Sequence, residues 1–160
     1  MFDPSLASRR NPLSDHRNHP HERHLFCAAT PVFRVPDAVA AGWYYRDVFG
    51  FEIAWELGDP PTFVCVQREH VAIFLHQTDD ESANRARLAG PPSAADLYVF
   101  VEDVDKVYAE FSRSGADCRN EPRVYDYGMK DFEVRDLNGY VLTFGQEAEP
   151  AEHDEDEPAD

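Results

Sequence analysis

The sequence predicts an α+β fold built from two βαβββ modules. Three observations support this prediction: a duplicated pattern within 160 residues, runs of alternating apolar and polar residues, and one amphipathic helical segment in each copy. The modules occupy about residues 28–78 and 95–146. The polar stretch 79–94 contains Gly-Pro-Pro and is predicted to be the linker between them.

Each predicted helix is bounded by the same two residue types. Asp37 and Asp103 lie 66 residues apart and follow a predicted strand, at 32–35 or 98–101, whereas Gly50 and Gly115 lie 65 residues apart. An Asp side chain can cap the free N–H groups of a helix start, and glycine tolerates the left-handed conformation of a helix end. The aromatic residues of the first helix are expected to face the core: Trp43, Tyr44, Tyr45 and Phe49.

Three strands are predicted after each helix. They span 51–57, 62–67 and 71–76 in the first module, and 117–124, 130–135 and 140–144 in the second. Asn138-Gly139 between the last two strands is a strong signal for a hairpin turn.

The two ends of the chain differ from its middle. Residues 1–24 have no apolar periodicity and are predicted to be a disordered extension, in which His16, His19, His21 and His24 lack the scaffold of a metal site. Residues 147–160 carry eight acids and no base, which predicts a disordered, solvated tail. A folded domain is therefore expected over 25–146, and docking to another protein through the tail stays open as an alternative role.

The composition excludes several classes of function. A net charge of −16 argues against nucleic acid or an anionic membrane as a partner. The sequence has no apolar run long enough to span a membrane and no signal-peptide pattern, so a cytoplasmic location is expected. Cys27, Cys65 and Cys118 are widely spaced and are predicted to be reduced, mainly buried thiols. No phosphate-binding loop, dinucleotide fingerprint, nucleophile elbow or zinc-finger spacing occurs.

Two segments resemble the vicinal-oxygen-chelate superfamily, which includes glyoxalase I, extradiol dioxygenases and bleomycin resistance proteins. The first is TPVFRVPD from residue 30, followed by WYYRDVFGF from residue 43. The second, YGMKDF from residue 127 with RDLNGYVLTF from residue 135, is similar to the bleomycin-resistance branch. The resemblance covers about residues 28–146. It implies a single domain in which curled mixed sheets surround a cavity, in a homodimer.

The resemblance also implies four inward positions that carry His, Glu or Gln in metal-dependent members. Here these positions fall on Thr30, Phe74, Asp96 and Thr143. Only Asp96 is a customary ligand, whereas a divalent ion needs three or four N, O or S donors. The expected function is therefore bleomycin-resistance-like, metal-free sequestration of a small molecule in the cavity, with no cofactor. The alternative is a glyoxalase-like lyase or an extradiol-type dioxygenase with unconventional metal ligands.

Strand alternation selects the side chains that share the expected cavity face. The predicted ligand-binding residues comprise the four positions that the resemblance implies, Thr30, Phe74, Asp96 and Thr143, and the residues that alternation places beside them, Val32, His76, Tyr98 and Phe100. Tyr127 and Met129, on the segment before the predicted strand 130–135, are expected to close the entrance to the cavity. This mainly aromatic set suits a small aromatic molecule, to which Asp96 adds a preference for positive charge.

Three of the polar residues near this face have alternative readings, and no catalytic residue is assigned. Asp96 is either an acceptor for a ligand cation or a base, or else a carboxylate that is exposed to water or caps the turn after Ser93-Ala94-Ala95. His76 is either a general base or a partly exposed polar residue. Arg34 shares the face by parity and is expected to pair with Asp96 or with another carboxylate.

Overall fold

The structure is a computed structural model that describes residues 28–80 and 95–148. The predicted N-terminal extension, most of the linker, nearly all of the acidic tail and Cys27 lie outside the described residues. The chain divides between Gly90 and Pro91 into two compact units, each of which contains one predicted module. In the described ranges, neither helix has the length and apolar character to cross a membrane.

The first module is a four-stranded sheet with one helix. Its elements are β1 (Val32–Val35), α1 (Ala38–Phe49), β2 (Glu52–Gly58), β3 (Pro61–Arg68) and β4 (Val71–Gln77). The strand order is β1-β4-β3-β2, with β1 parallel to β4 and the other pairs antiparallel. The short strand β1 therefore lies at an edge, where the crossover through α1 places it beside the last strand of its own module.

The second module repeats this arrangement. Its elements are β5 (Leu97–Phe100), α2 (Val104–Ser114), β6 (Asp117–Cys118), β7 (Arg123–Val124), β8 (Met129–Arg135) and β9 (Val141–Glu147). Edge strand β5 is parallel to β9, β9 is antiparallel to β8, and both β6 and β7 pair with β8. The prediction of an α+β fold with mixed sheets in two modules is confirmed.

Both helices begin and end at the predicted residues. The side chains of Asp37 and Asp103 accept hydrogen bonds from backbone N–H groups three residues later, at 2.9 and 3.0 Å. Gly50 and Gly115 end the helices with φ of 68° and 80°. Because residues with a side chain rarely adopt this left-handed conformation, glycine is the residue that ends both helices at lowest cost.

Each helix covers one face of its own sheet, and the core lies between them. A Cβ added at Gly42 of α1 would lie 3.0 Å from the buried side chain of Val64, so the helix backbone packs close to β3. In the second module, Phe111 of α2 packs edge-on against Phe144 at 5.1 Å and Phe132 at 6.2 Å between ring centroids. Contacts of this kind remove the side chains of Val64 and Phe111 almost completely from water.

The prediction of one strand over 117–124 is wrong. The structure has two-residue strands β6 and β7 instead, and Pro122 between them has no N–H with which to pair. The side chain of Asn120 accepts the hydrogen bond from the Glu133 backbone N–H at 2.9 Å, so a side chain replaces the ladder at that point.

The expectation that Trp43 belongs to the core is also wrong, because the residue is 53% exposed. Tyr45 and Phe49 are fully buried as expected, and Tyr44 is half-buried. The buried stripe of α1 continues from Ala41 through Tyr45 to Phe49 at helical spacing, and Trp43 lies outside it.

The cap at Asp37 gives a direct test of the helix boundary. We expect Asp37→Ala to lower the free energy of unfolding by about 0.5–2 kcal/mol, because the helix start loses its side-chain acceptor. Urea denaturation followed by circular dichroism measures this. The matched control is Asp37→Asn, which keeps an acceptor and should stay close to the wild type; an equal loss in both variants would contradict the capping role.

Candidate functional site

The face of each sheet opposite its helix, termed the far face, carries most of the predicted site residues. On the first module, two rows of paired residues cross this face. One row is Val32, Phe74, Cys65 and Trp55, and the other is Arg34, His76, Phe63 and Leu57. Their neighbours along the strands, such as Val64 and Leu75, are fully buried on the helix side. The alternation of a β-strand therefore assigns the two rows to the far face.

Four rings on this face form the first-module aromatic cluster: Trp55, Phe63, Phe74 and His76. Trp55 and Phe63 stack nearly parallel, with centroids 5.7 Å apart and an interplanar angle of 4°. Phe74 lies 5.3 Å from Trp55 and 5.4 Å from Phe63, and His76 lies 5.1 Å from Phe63. Trp55 is 39% exposed and the other three residues are half-buried. The cluster is thus a continuous aromatic surface that retains contact with solvent.

The equivalent face of the second module has a different centre. Its rows are Tyr98, Thr143 and Glu133, and Phe100, Gly145 and Asp131. In the duplicated topology, Asp131 occupies the place of Phe63, and Gly145 occupies the place of His76. The second far face therefore has carboxylates and small residues where the first has rings.

A buried carboxylate shared by two phenols dominates this second face. Asp131 is only 2% exposed, and its Oδ2 accepts hydrogen bonds from the hydroxyls of Tyr98 at 3.1 Å and Tyr127 at 2.7 Å. We term these three residues the acid–tyrosine cluster. Desolvation, and then the hydrogen bond to Asp131, raise the pKa of Tyr98 to about 12, and the pKa of Tyr127 is raised by the same causes. Both phenols therefore stay protonated at neutral pH and act as donors to the carboxylate.

Gly145 makes this arrangement possible. A Cβ at this position would collide with the hydroxyl of Tyr98 and would lie 2.8 Å from Cβ of Asp131. Real Cβ atoms do not approach other atoms so closely, so the hydrogen bond between Tyr98 and Asp131 requires glycine on the intervening strand.

Exposed rings border the acid–tyrosine cluster. Phe100 lies 5.1 Å from Tyr98 between centroids and is 75% exposed. Tyr127 is 62% exposed and stacks on Tyr125 at 5.1 Å, and the guanidinium of Arg123 lies 4.4 Å from the centroid of Tyr125. The second far face thus combines a buried negative charge with accessible aromatic surface.

The structure places the predicted site residues in three kinds of position. Six lie in strands on the far faces, as the resemblance and strand alternation together predict: Val32, Phe74, His76, Tyr98, Phe100 and Thr143. Thr30 and Asp96 precede β1 and β5, Tyr127 lies in the turn before β8, and Met129 begins β8. Their part in ligand binding stays a prediction.

Several prominent residues of these faces were absent from the predicted set: Trp55, Phe63, Asp131, Glu133 and Gly145. The parity of β8 carries a signal for two of them, because Met129, Asp131 and Glu133 alternate along one strand and so share a face. The shared acceptor role of Asp131 has no such signal, because it depends on residues from three separate segments.

The Asp96 carboxylate contacts the neighbouring strand, whereas Ser93 and Ala94, in the turn that it is alternatively expected to cap, lie outside the described residues. Its carboxylate accepts a hydrogen bond from the backbone N–H of Val141 at 2.9 Å, and its own N–H donates to the Val141 carbonyl at 2.8 Å. The residue is exposed and joins the start of β5 to β9. His76 packs its half-buried ring against Phe63, in keeping with the reading of a partly exposed polar residue.

The residues at the four implied metal positions do not fit a metal ion. Phe74 offers no donor atom, and the Asp96 carboxylate already caps the Val141 backbone. Across 28–80 and 95–148, no three His, Cys, Asp or Glu side chains are grouped so as to hold a metal. Burial also raises the pKa of the Cys65 thiol to about 11, which keeps it protonated and a poor ligand or nucleophile at neutral pH.

Comparisons with known proteins agree with the fold. The family model described as Glyoxalase/Bleomycin resistance protein/Dioxygenase superfamily matches residues 14–144. A comparison with curated proteins found no match. The chain is similar to the crystal structure of UcmS2, with 19% identity and a TM-score of 0.60 over 72% of this chain and 94% of that one.

Two further solved structures have the same fold. TioX from Micromonospora sp. ML1 is 18% identical with a TM-score of 0.58, over 74% of this chain and 96% of that one. A glyoxalase/bleomycin resistance protein/dioxygenase from Nocardioides is 17% identical with a TM-score of 0.56, over 76% and 83% of the two chains. At these identities the similarity establishes the fold.

Gly145→Ala tests the packing of the acid–tyrosine cluster. We expect it to lower the free energy of unfolding by about 1–3 kcal/mol, because the added methyl group displaces the Tyr98 hydroxyl from Asp131. Urea denaturation measures the loss. Adding Tyr98→Phe should recover part of it by removing the colliding oxygen; a double variant whose two losses simply add would contradict this account.

The raised pKa of Tyr98 predicts a stability change at alkaline pH. The folded pKa of about 12 exceeds the unfolded value of about 10, so the contribution of Tyr98 is complete below pH 10 and is lost as the pH rises towards 12. We expect Asp131→Asn to lower the pKa of this phenol, as followed by ultraviolet absorbance of tyrosinate. An unchanged titration in Asp131→Asn would show that the carboxylate does not act on the phenols.

Proposed function

The chain belongs to the Glyoxalase/Bleomycin resistance protein/Dioxygenase superfamily, and from that premise we propose that it binds and sequesters a small aromatic molecule without a metal ion. The observation that carries this proposal is the first-module aromatic cluster. Its rings present a continuous aromatic surface on the far face, against which an aromatic ligand can pack.

The geometry of the cluster favours binding over simple filling of the interior. Trp55 keeps more than a third of its surface exposed, although its indole is held parallel to Phe63 and in contact with Phe74. Three neighbouring strands, β2, β3 and β4, each contribute one of these rings. Because packing already restricts the rings, a ligand that stacks on them loses little additional side-chain entropy. Each aromatic contact adds about 0.5–1.5 kcal/mol beyond the burial of area.

The chemistry of the described residues supports binding rather than catalysis. The donor set at the four implied metal positions is incomplete, and desolvation raises the pKa of the Cys65 and Cys118 thiols. His76 lies on the far face, where its imidazole packs against the ring of Phe63. A general base is usually oriented by a hydrogen bond to a carboxylate, and this ring contact does not supply one. A lyase or dioxygenase remains the competing assignment, and a stoichiometric metal on which turnover depends would establish it.

Tryptophan fluorescence can test the proposal because the sequence contains only two tryptophans, Trp43 and Trp55. In Trp43→Phe the remaining emission comes from Trp55 within the aromatic cluster. We expect 2-naphthol, a neutral bicyclic aromatic, to change this emission saturably. Phe74→Leu in the same background keeps an apolar side chain but removes a ring, and it should weaken binding about fivefold or more.

Trp43→Ala serves as the matched control for Trp55→Ala. The affinity of each variant for 2-naphthol is measured by nuclear magnetic resonance. Each variant removes one exposed or partly exposed indole, but only Trp55 belongs to the cluster. Binding that survives Trp55→Ala and is lost in Trp43→Ala would place the ligand elsewhere and refute the proposal.

A further inference from the structure

We propose that the far face of the second module binds the methylated ammonium group of an organic cation. Tyr98, Phe100 and Tyr127 supply the aromatic rings, and Asp131 supplies the negative charge. This site goes beyond the proposed function, which depends on the first module alone, and it assigns the charge preference to a residue other than Asp96.

The rings provide the first part of the argument. Phe100 and Tyr127 are the most exposed aromatic side chains of this module in the described ranges, and Tyr98 connects them through its contact with Phe100 and its shared acceptor Asp131. The faces of such rings attract cations through their quadrupoles. The chain already uses this interaction beside the site, where the Arg123 guanidinium lies over a tyrosine ring.

The charge of Asp131 provides the second part. Its carboxylate is buried, so solvent and salt screen it less than they screen a surface acid. The neutral hydroxyls of Tyr98 and Tyr127 are its hydrogen-bond donors, and no Lys, Arg or His within the described ranges lies at ion-pair distance from it. Arg123 is its cross-strand neighbour, but the guanidinium packs on a ring instead. The negative charge is therefore not neutralised by a basic side chain of this module.

Glu133 reinforces the same sign of charge. It lies two residues along β8 on the same face and is half-buried beside Thr143. Gly145 and Thr143 lie on the strand next to both carboxylates, and the missing side chain at Gly145 lets Tyr98 lie over this strand and cover Asp131. A positively charged group above this face meets two carboxylates below and aromatic rings around it.

The hydrogen bonding selects the type of cation. Asp131 Oδ2 already accepts two hydrogen bonds, and the residue is almost fully buried. A primary ammonium or a guanidinium needs acceptors for its N–H groups, and it would find Oδ2 already engaged and the rest of this carboxylate nearly inaccessible, because Asp131 is only 2% exposed. A quaternary methylated ammonium has no N–H group and a tertiary one has a single N–H group, so each needs at most one hydrogen-bond acceptor. Both interact favourably with the faces of aromatic rings. The site therefore fits a methylated ammonium better than a primary one.

The test compares ligands of matched shape. Choline and 3,3-dimethylbutan-1-ol differ mainly in charge, and ethanolamine is the primary ammonium counterpart of choline. We expect choline, titrated into the full-length chain, to shift the amide resonances of Phe100, Tyr127 and Asp131. Its affinity should exceed that of the other two compounds about tenfold. Equal affinity of choline and dimethylbutanol would overturn the role of charge, and equal affinity of choline and ethanolamine would overturn the preference for methylated groups.

Variants identify the residues responsible. Asp131→Asn should abolish the preference for choline over dimethylbutanol, whereas Glu52→Gln changes the net charge equally in the first module and should leave that preference intact. Phe100→Leu alters an exposed side chain and should weaken choline binding at least about threefold, which keeps the test valid if Asp131→Asn is poorly folded. Unchanged choline binding in Phe100→Leu, or an equal loss in Glu52→Gln, would refute the site. The 2-naphthol experiment reports on Trp55 separately, so failure of one proposal is distinguishable from failure of the other.

Discussion

In each module, hydrophobic burial between one helix and one sheet decides which side chains remain for function. The helix covers a single face, and strand alternation sends every second residue to the other side. Val64 and Leu75 are fully buried beneath α1, whereas Phe63 and His76, adjacent in the same strands, lie on the far face. Apolar packing on the helix side thus holds the backbone of each strand in place. The fixed backbone in turn sets the distances between the side chains on the far face.

Duplication gives the two modules one backbone pattern with different chemistry. Phe63 and Asp131 occupy equivalent places, as do His76 and Gly145. One replacement exchanges a ring for a carboxylate, and the other removes a side chain so that Tyr98 can reach that carboxylate. Because neither position belongs to the helix-side core, these exchanges leave the packing of α1 and α2 unaffected.

Local signals predicted the fold, whereas the details of the site depend on contacts between distant segments. The Asp and Gly helix boundaries were predictable because a cap involves residues within a few positions of one another. The resemblance implied the inward position of Phe74, and alternation beside Asp96 predicted that of Tyr98. The acid–tyrosine cluster was missed because a turn and two strands converge on Asp131. Asp96 was ambiguous for a related reason, since its partner Val141 is far along the chain.

The edge position of β1 bears on how the chain avoids unwanted self-association. An open sheet edge offers unpaired backbone groups to which a strand from another molecule can add, and proteins that tolerate such edges keep them short or interrupted. Strand β1 has four residues and is bracketed by Pro31 and Pro36, neither of which has an N–H to donate. Arg34 adds a charge in the middle of the strand. The length of β1 and its two flanking prolines therefore limit how much backbone this strand could offer to an added strand.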